Sequence, residues 1–143
     1  MRKVSMAVES WPTQHPFSIT GHTFIEARVL LVTLEQEGAI GRGEGTGIYY
    51  LGETGDTLLK QALTLKESLE KGLTRLELQT LLPRGGARNA IDCALWDLEA
   101  KLQNKSIWQL TGISPGDIIT VNTLGIETPE RMAAMASKLD TPK

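Results

Sequence analysis

Residues 87 to 112 read ARNAIDCALWDLEAKLQNKSIWQLTG and form the longest helical pattern in the chain. Ala87, Ile91, Ala94, Leu98 and Leu102 recur at steps of three or four, so they share one stripe of an α-helix. Ala87, Ala90, Ala94 and Ala100 put little bulk on the helix, which lets it approach a sheet or a second helix closely. Pro83, Gly85 and Gly86 end whatever precedes it. Cys93 and Trp96 stand among apolar neighbours and are expected to pack. Asp92 and Glu99 lie two turns apart on one face while Asp97 points elsewhere. Without a further ligand at matching spacing, the three acids are expected to be solvated or salt-bridged rather than metal-bound.

The order of residue types in this run resembles the signature of the mandelate racemase and muconate lactonizing enzyme branch of the enolase superfamily. Ala87, Asn89, Ala90, Ile91, Asp92, Ala94, Leu95, Asp97, Leu98, Ala100, Lys101, Ser106, Ile107, Leu110 and Gly112 fit it, and Thr111 departs from the usual aliphatic. The signature describes the packing of the last capping-domain helix, so it speaks for a fold and not for a catalytic group. Within the branch, the likeness is to the dipeptide epimerases of the L-Ala-D/L-Glu type. It rests on the runs 73–79 and 92–98, on Leu82-Pro83 before Ala87-Arg88-Asn89-Ala90, and on Glu9-Ser10-Trp11-Pro12 leading to Pro16-Phe17.

Working outward, Lys3 to Trp11 alternate with Val4, Met6 and Val8 on one side, which predicts a half-buried strand ended by Pro12. Residues 13–23 are expected to form a loop, Phe24 to Glu35 a longer strand, Gln36 to Gly38 a hairpin turn and Ala39 to Glu44 a third strand. A glycine-rich loop spans Gly45 to Gly52. Thr54 is placed to cap a helix from about Thr57 to Lys71 that Gly72 stops, and Thr74 with Glu77 predicts a capping box for a short helix through Leu82. Three strands followed by helices indicate an α+β capping domain, a three-stranded antiparallel meander with helices packed on one face.

After Gly112 the pattern changes. Ser114 to Asp117 read as a turn, Ile118 to Ile126 as a buried strand and Pro129 to Leu139 as a helix capped by Thr128. The resemblance makes this the first β/α unit of a (β/α) barrel, dividing the chain into a capping domain at 1–113 and the start of a barrel at 114–143. Such a barrel ordinarily takes about 250 residues. The sequence is therefore expected to be the N-terminal portion of a longer enzyme.

The composition narrows the field. The chain has 143 residues with 15 basic and 17 acidic side chains, a net charge of −2 that argues against a nucleic-acid backbone as partner. One cysteine makes no internal disulfide, which fits a reducing cytoplasm. The longest aliphatic run, Val29 to Val32, is far too short for a membrane span, and no signal-peptide pattern follows Met1.

The resemblance implies abstraction of the proton α to a carboxylate, giving an enediolate stabilised by Mg²⁺ while lysines move the proton. It places those lysines and the metal carboxylates on later barrel strands. No catalytic or metal-binding residue is expected in these 143 residues, and Lys143 is expected to fall just before the strand that carries the first lysine pair. What the chain is expected to supply is specificity, through two loops that close the barrel mouth. Phe17, Ile19, Thr20, Gly21 and His22 form the first, Tyr49 and Tyr50 belong to the second, and Thr123 lies near the end of the first barrel strand; all are candidate substrate contacts. His15 is read as structural.

In the epimerases the first loop commonly carries an arginine suited to a substrate carboxylate, and Thr20 cannot supply one; Ile48 to Leu51 are uncharged as well. A more apolar or aromatic dipeptide, or another N-acyl amino acid, is the expected small-molecule partner, in a protein that can assemble as a homo-oligomer. Gly41 to Gly47 lack the Lys-Ser/Thr ending of a nucleotide loop, so Gly41, Gly43 and Gly45 are read as sites of close backbone packing at the strand end. Two alternatives stay open: a noncatalytic capping module, and another chemistry of the superfamily such as a cycloisomerase, o-succinylbenzoate synthase or sugar-acid dehydratase.

Overall fold

The computed structural model describes residues 1–139. Two compact units result, the first from Met1–Ser10 with Arg28–Ser114, the second from Trp11–Ala27 with the chain beyond Pro115. The elements in order are β1 (Lys3–Ile19), β2 (His22–Gln36), β3 (Ala39–Thr46), a 3₁₀ turn at Tyr49–Leu51, α1 (Gly55–Leu63), α2 (Lys66–Glu70), α3 (Arg75–Leu81), α4 (Gly86–Leu102), α5 (Ile107–Thr111) and α6 (Pro129–Ala136). The sheet order is β1-β2-β3, and β2 pairs antiparallel with β3 from Val29↔Thr46 to Gln36↔Ala39.

In the first unit the core is one aliphatic cluster. Val4 from β1, Leu30, Val32 and Leu34 from β2, Leu58, Ala62, Leu69 and Leu78 from the short helices, and Ala87, Ala90, Ile91, Ala94 and Leu98 from α4 all enter it, and no polar or charged residue among those described is buried. Val4 and, partly buried, Met6 of the β1 alternation and Ala87, Ala90 and Ala94 of the α4 stripe thus face the core as expected, while Val8 is only half-buried. Leu102, the last member of the stripe, is 36% exposed, because the helix has run past the core by then.

Helix α4 lies directly on β3. A Cβ on Gly41 would collide with Ala94 O and the Leu98 backbone, one on Gly43 with Ala90 O and Ala94 N, and one on Gly45 with Gly86 O. The glycines at alternate positions of β3 therefore exist for this approach, and the alanines meet them from the other side. Polar side chains of α4 then reach the free edge of β3: Asn89 Nδ2 donates to Glu44 O (3.2 Å), Arg42 N donates to Asp97 Oδ2 (2.8 Å), and Lys101 Nζ donates to Ile40 O (2.7 Å). Residues 40, 42 and 44 alternate with the residues turned toward β2, so these bonds satisfy backbone groups that no strand pairs. The signature run is a device for docking one helix on one glycine-lined edge strand.

Several expectations are corrected. Strand β1 does not end at Pro12 but continues through Pro16 to Ile19, so residues 13–23 are the two arms and the Thr20-Gly21 turn of a hairpin and not a loop. As an edge strand, β1 tolerates prolines that donate no hydrogen bond. Strand β3 extends two residues further, to Thr46. The helix expected over 57–71 is two helices, parted where Thr64 Oγ1 and N both turn back to Gln61 O (2.7 and 3.2 Å). The single helical run 87–112 is also two. Asn104 takes φ 49°, Lys105 N donates to Ala100 O (2.8 Å) and Asn104 N to Lys101 O (3.1 Å), a Schellman stop with asparagine in place of glycine, and Ser106 with Gln109 opens α5. Cys93 is exposed and not a packing residue. Trp96 packs, with the Arg75 guanidinium 3.3 Å above its ring.

In the second unit α6 forms as expected from Thr128 and Pro129, ending at Ala136. The strand expected over 118–126 does not form, and Ile118, Ile119 and Val121 are 80%, 78% and 74% exposed. A barrel strand takes its hydrogen bonds from neighbours on both edges, and the described residues provide no barrel neighbour for it. Thr141, Pro142 and Lys143, including the position of Lys143 relative to a later strand, lie outside the described residues.

Candidate functional site

The tip of the β1–β2 hairpin gathers the first group of expected residues. Gly21 takes φ +74° in the Thr20-Gly21 turn. Phe17 and Phe24 stand 6.4 Å apart between ring centroids, and His22 meets Phe24 edge-on at 4.3 Å. Ser18 and Thr23 hydroxyls bond across the hairpin at 3.0 Å. Phe17 and Ile19 are half-buried, while Thr20, Gly21 and His22 are exposed. The segment holding Thr123 reaches this tip just beyond that residue: Ile126 N donates to Ser18 O (2.7 Å), and a Cβ on the buried Gly125 would stand 3.2 Å from Ser18 N. Thr123 is exposed in an irregular segment, and not at the end of a strand as expected. Gly125 was not singled out from sequence; a lone glycine among Ile, Val and Thr was the only sign of it.

Tyr49 and Tyr50 belong to the first unit. After β3 the chain makes one 3₁₀ turn, with Leu51 N donating to Ile48 O (2.9 Å) and Gly52 N to Tyr49 O (3.0 Å), and Gly52 at φ 73° closes it. The tyrosine rings meet edge to face at 5.3 Å. Tyr50 and Leu51 are 71% and 67% exposed. Glu53 closes the loop: its carboxylate accepts from Ile48 N (3.0 Å), and its own N–H donates to Ile48 O (3.3 Å). Sequence reading passed over Glu53, because nothing local distinguishes it from any acid before a helix cap.

Neither the hairpin tip from Phe17 to His22 nor the turn from Ile48 to Gly52 contains a lysine or arginine. Both present aromatic and aliphatic surface with hydroxyls and one imidazole, an arrangement that can exclude water and contact an uncharged side chain. Two of the three α4 carboxylates are salt-bridged, Asp97 with Lys101 (2.7 Å) and Glu99 with Arg75 (2.9 Å). Among the described residues no group of three or more His, Cys, Asp or Glu side chains could hold a metal ion. The donor set of the described residues does not fit a Mg²⁺ site.

A cavity of ≈ 460 Å³ lies at the other end of α4, lined by Arg2, Gln36, Leu73, Arg75, Leu98 and Glu99 among others. Its cations are already committed. Arg2 donates to Leu69 O and Leu73 O (3.3 and 3.0 Å), and Arg75 is held by Glu99 and Trp96. The cavity lining on α4 begins at Leu95, nine residues or about 14 Å of helix beyond Gly86. This cavity is a structural joint between strands and helices.

Residues 1–112 match the mandelate racemase / muconate lactonizing enzyme, N-terminal domain family. The chain is 48% identical over 140 residues to an L-Ala-D/L-Glu epimerase of Escherichia coli (strain K12), covering 97% of this chain and 44% of that relative. A solved structure of an enolase family member from Agrobacterium tumefaciens with homology to dipeptide epimerases, holding sodium and L-Ala-L-Glu, matches with a TM-score of 0.90 at 32% identity, over 96% of this chain and 43% of that one. The dipeptide epimerase from Enterococcus faecalis V583 complexed with Mg and L-Leu-L-Tyr matches with a TM-score of 0.81 at 28% identity, over 94% and 40%. The chain thus spans less than half the length of these relatives.

Proposed function

Because this chain belongs to the mandelate racemase / muconate lactonizing enzyme family through that family's N-terminal domain, we propose that it is the capping part of a Mg²⁺-dependent dipeptide epimerase. The observation that carries the reading is the match over nearly the whole chain to an L-Ala-D/L-Glu epimerase, together with dipeptide-bound structures of the same fold. A Mg²⁺ ion held by the barrel would supply stabilisation of the negative charge that develops beside the substrate carboxylate. The residues of this chain hold and enclose the dipeptide. Phe17, Ile19, Thr20, Gly21 and His22 of the hairpin tip, with Thr123 of the same unit, are substrate contacts in this reading, and Tyr49 and Tyr50 are substrate contacts on the turn of the first unit; loops of this kind keep water from a reacting carbon. The domain division at residue 113, with the barrel beginning at 114, is part of the same proposal, as is a cytoplasmic location.

The preferred substrate in this reading has uncharged, apolar or aromatic side chains. Its support is the lack of any cation in the hairpin tip and the tyrosine turn, since a second substrate carboxylate would be desolvated there without a partner. L-Ala-L-Glu is the second reading, favoured by the 48% identical relative. The test is exchange: the full-length protein that carries this chain together with its barrel is purified and incubated with MgCl₂ and a panel of dipeptides in D₂O, and deuterium at the α-carbon of the C-terminal residue is followed by NMR. Faster exchange with Leu-Tyr-like dipeptides than with Ala-Glu is expected; the reverse order selects the second reading. No exchange with any dipeptide rejects both.

A further inference from the structure

We propose that Glu53 is the residue that positions the Tyr49–Tyr50 turn for substrate, a proposal that rests on reading this turn as part of the dipeptide site. None of Tyr49, Tyr50 and Leu51 is buried, so core packing does not fix their place. Hydrogen bonds must. Glu53 grips Ile48 from both sides, accepting from its N–H through Oε2 and donating to its carbonyl. The three residues between are thereby confined to a single turn. The grip is close: a Cβ on Gly47 would stand 2.6 Å from Glu53 O and 2.9 Å from Glu53 Cβ.

Glu53 also lies beside the start of α4. Its second oxygen, Oε1, stands 2.6 Å from where a Cβ on Gly85 would be, at the N-cap of α4. That helix end has no side-chain cap and no acid in its first turn. Glu53 is not needed to start α1, because Thr54 and Thr57 cap that helix reciprocally. One side chain therefore closes the exposed aromatic turn on itself, beside the start of α4.

The test compares Glu53→Ala, Glu53→Gln and Tyr50→Ala in the protein used for the exchange assay. Glutamine keeps an oxygen that accepts the Ile48 N–H, whereas alanine does not. In Glu53→Ala the Ile48 amide should lose its hydrogen-exchange protection, and KM for the best dipeptide should rise about tenfold, the scale of re-ordering one or two loose side chains, with kcat within about twofold. Glu53→Gln should restore both. Retained Ile48 protection in Glu53→Ala overturns the grip, whatever the activity. Raised KM in Tyr50→Ala with unchanged KM in Glu53→Ala overturns the positioning role. If Tyr50→Ala and Glu53→Ala both leave KM unchanged while Ile48 loses protection, the turn is not in the dipeptide site, and the reading on which the proposal rests is what fails.

Discussion

Gly43 carries the sharpest test of how the first unit is packed. A methyl group there would enter the space of Ala90 O and Ala94 N, which are backbone atoms of α4 and cannot swing aside. Gly43→Ala should cost about 3 kcal/mol, the upper range for overpacking, read as a fall in the urea midpoint. Gly116→Ala, where a Cβ meets nothing within 4 Å, should stay within about 0.5 kcal/mol. Cys93 gives a chemical test. Its thiol pKa is raised, first by partial burial and second by the nearby Asp92 carboxylate, even though the residue as a whole is exposed. It should react with a disulfide reagent more slowly than a free cysteine at neutral pH, and Asp92→Asn should speed it. The glycines were legible from sequence as sites of close packing, because three of them at alternate strand positions have few other uses. The exposure of Cys93 was not, since apolar neighbours in sequence do not tell which side of the helix is covered.

At the scale of elements, the helix caps and the edge of β3 set what is stable. Thr74 donates through its backbone N–H and hydroxyl to Glu77, and these two bonds, the backbone one larger, hold the Glu77 carboxyl below its ordinary pKa. A depressed folded pKa means that the contribution is complete above the unfolded value of about 4.3 and is lost as pH falls through the lower folded value. Glu77→Gln keeps the capping geometry without the charge, so the difference in urea midpoint between wild type and variant should shrink from pH 7 toward pH 3. Asp97→Ala removes the acceptor of the Arg42 N–H on the free edge of β3 and should cost about 1 kcal/mol. The capping boxes at Thr74 and the cap at Thr128 were readable because each is a local pattern of four residues. The breaks at Thr64 and Asn104 were missed for the opposite reason: periodicity of the apolar stripe continues across them, and only backbone geometry shows the interruption.

For the whole molecule, the two units should differ in protection. In a polypeptide of these 143 residues, amides of Leu30 to Gln36, paired with β3 and set over the aliphatic core, should exchange slowly, and those of Ile118 to Val121 should exchange at once. Slow exchange over 118–121 would mean that a strand forms there after all. The family, the meander of three strands and the alanine-faced helix were determined by the sequence itself, because amphipathic period, alanine content and cap residues act through neighbours a few positions away. Three things were decided only by tertiary structure: the continuation of β1 past two prolines, the use of Asn89, Asp97 and Lys101 to close a bare strand edge, and the grip of Glu53 on the tyrosine turn. Each depends on which backbone groups another element brings within bonding distance, and the apolar run 118–126 shows the same rule from the other side, since β-branched residues do not make a strand without neighbours to pair with.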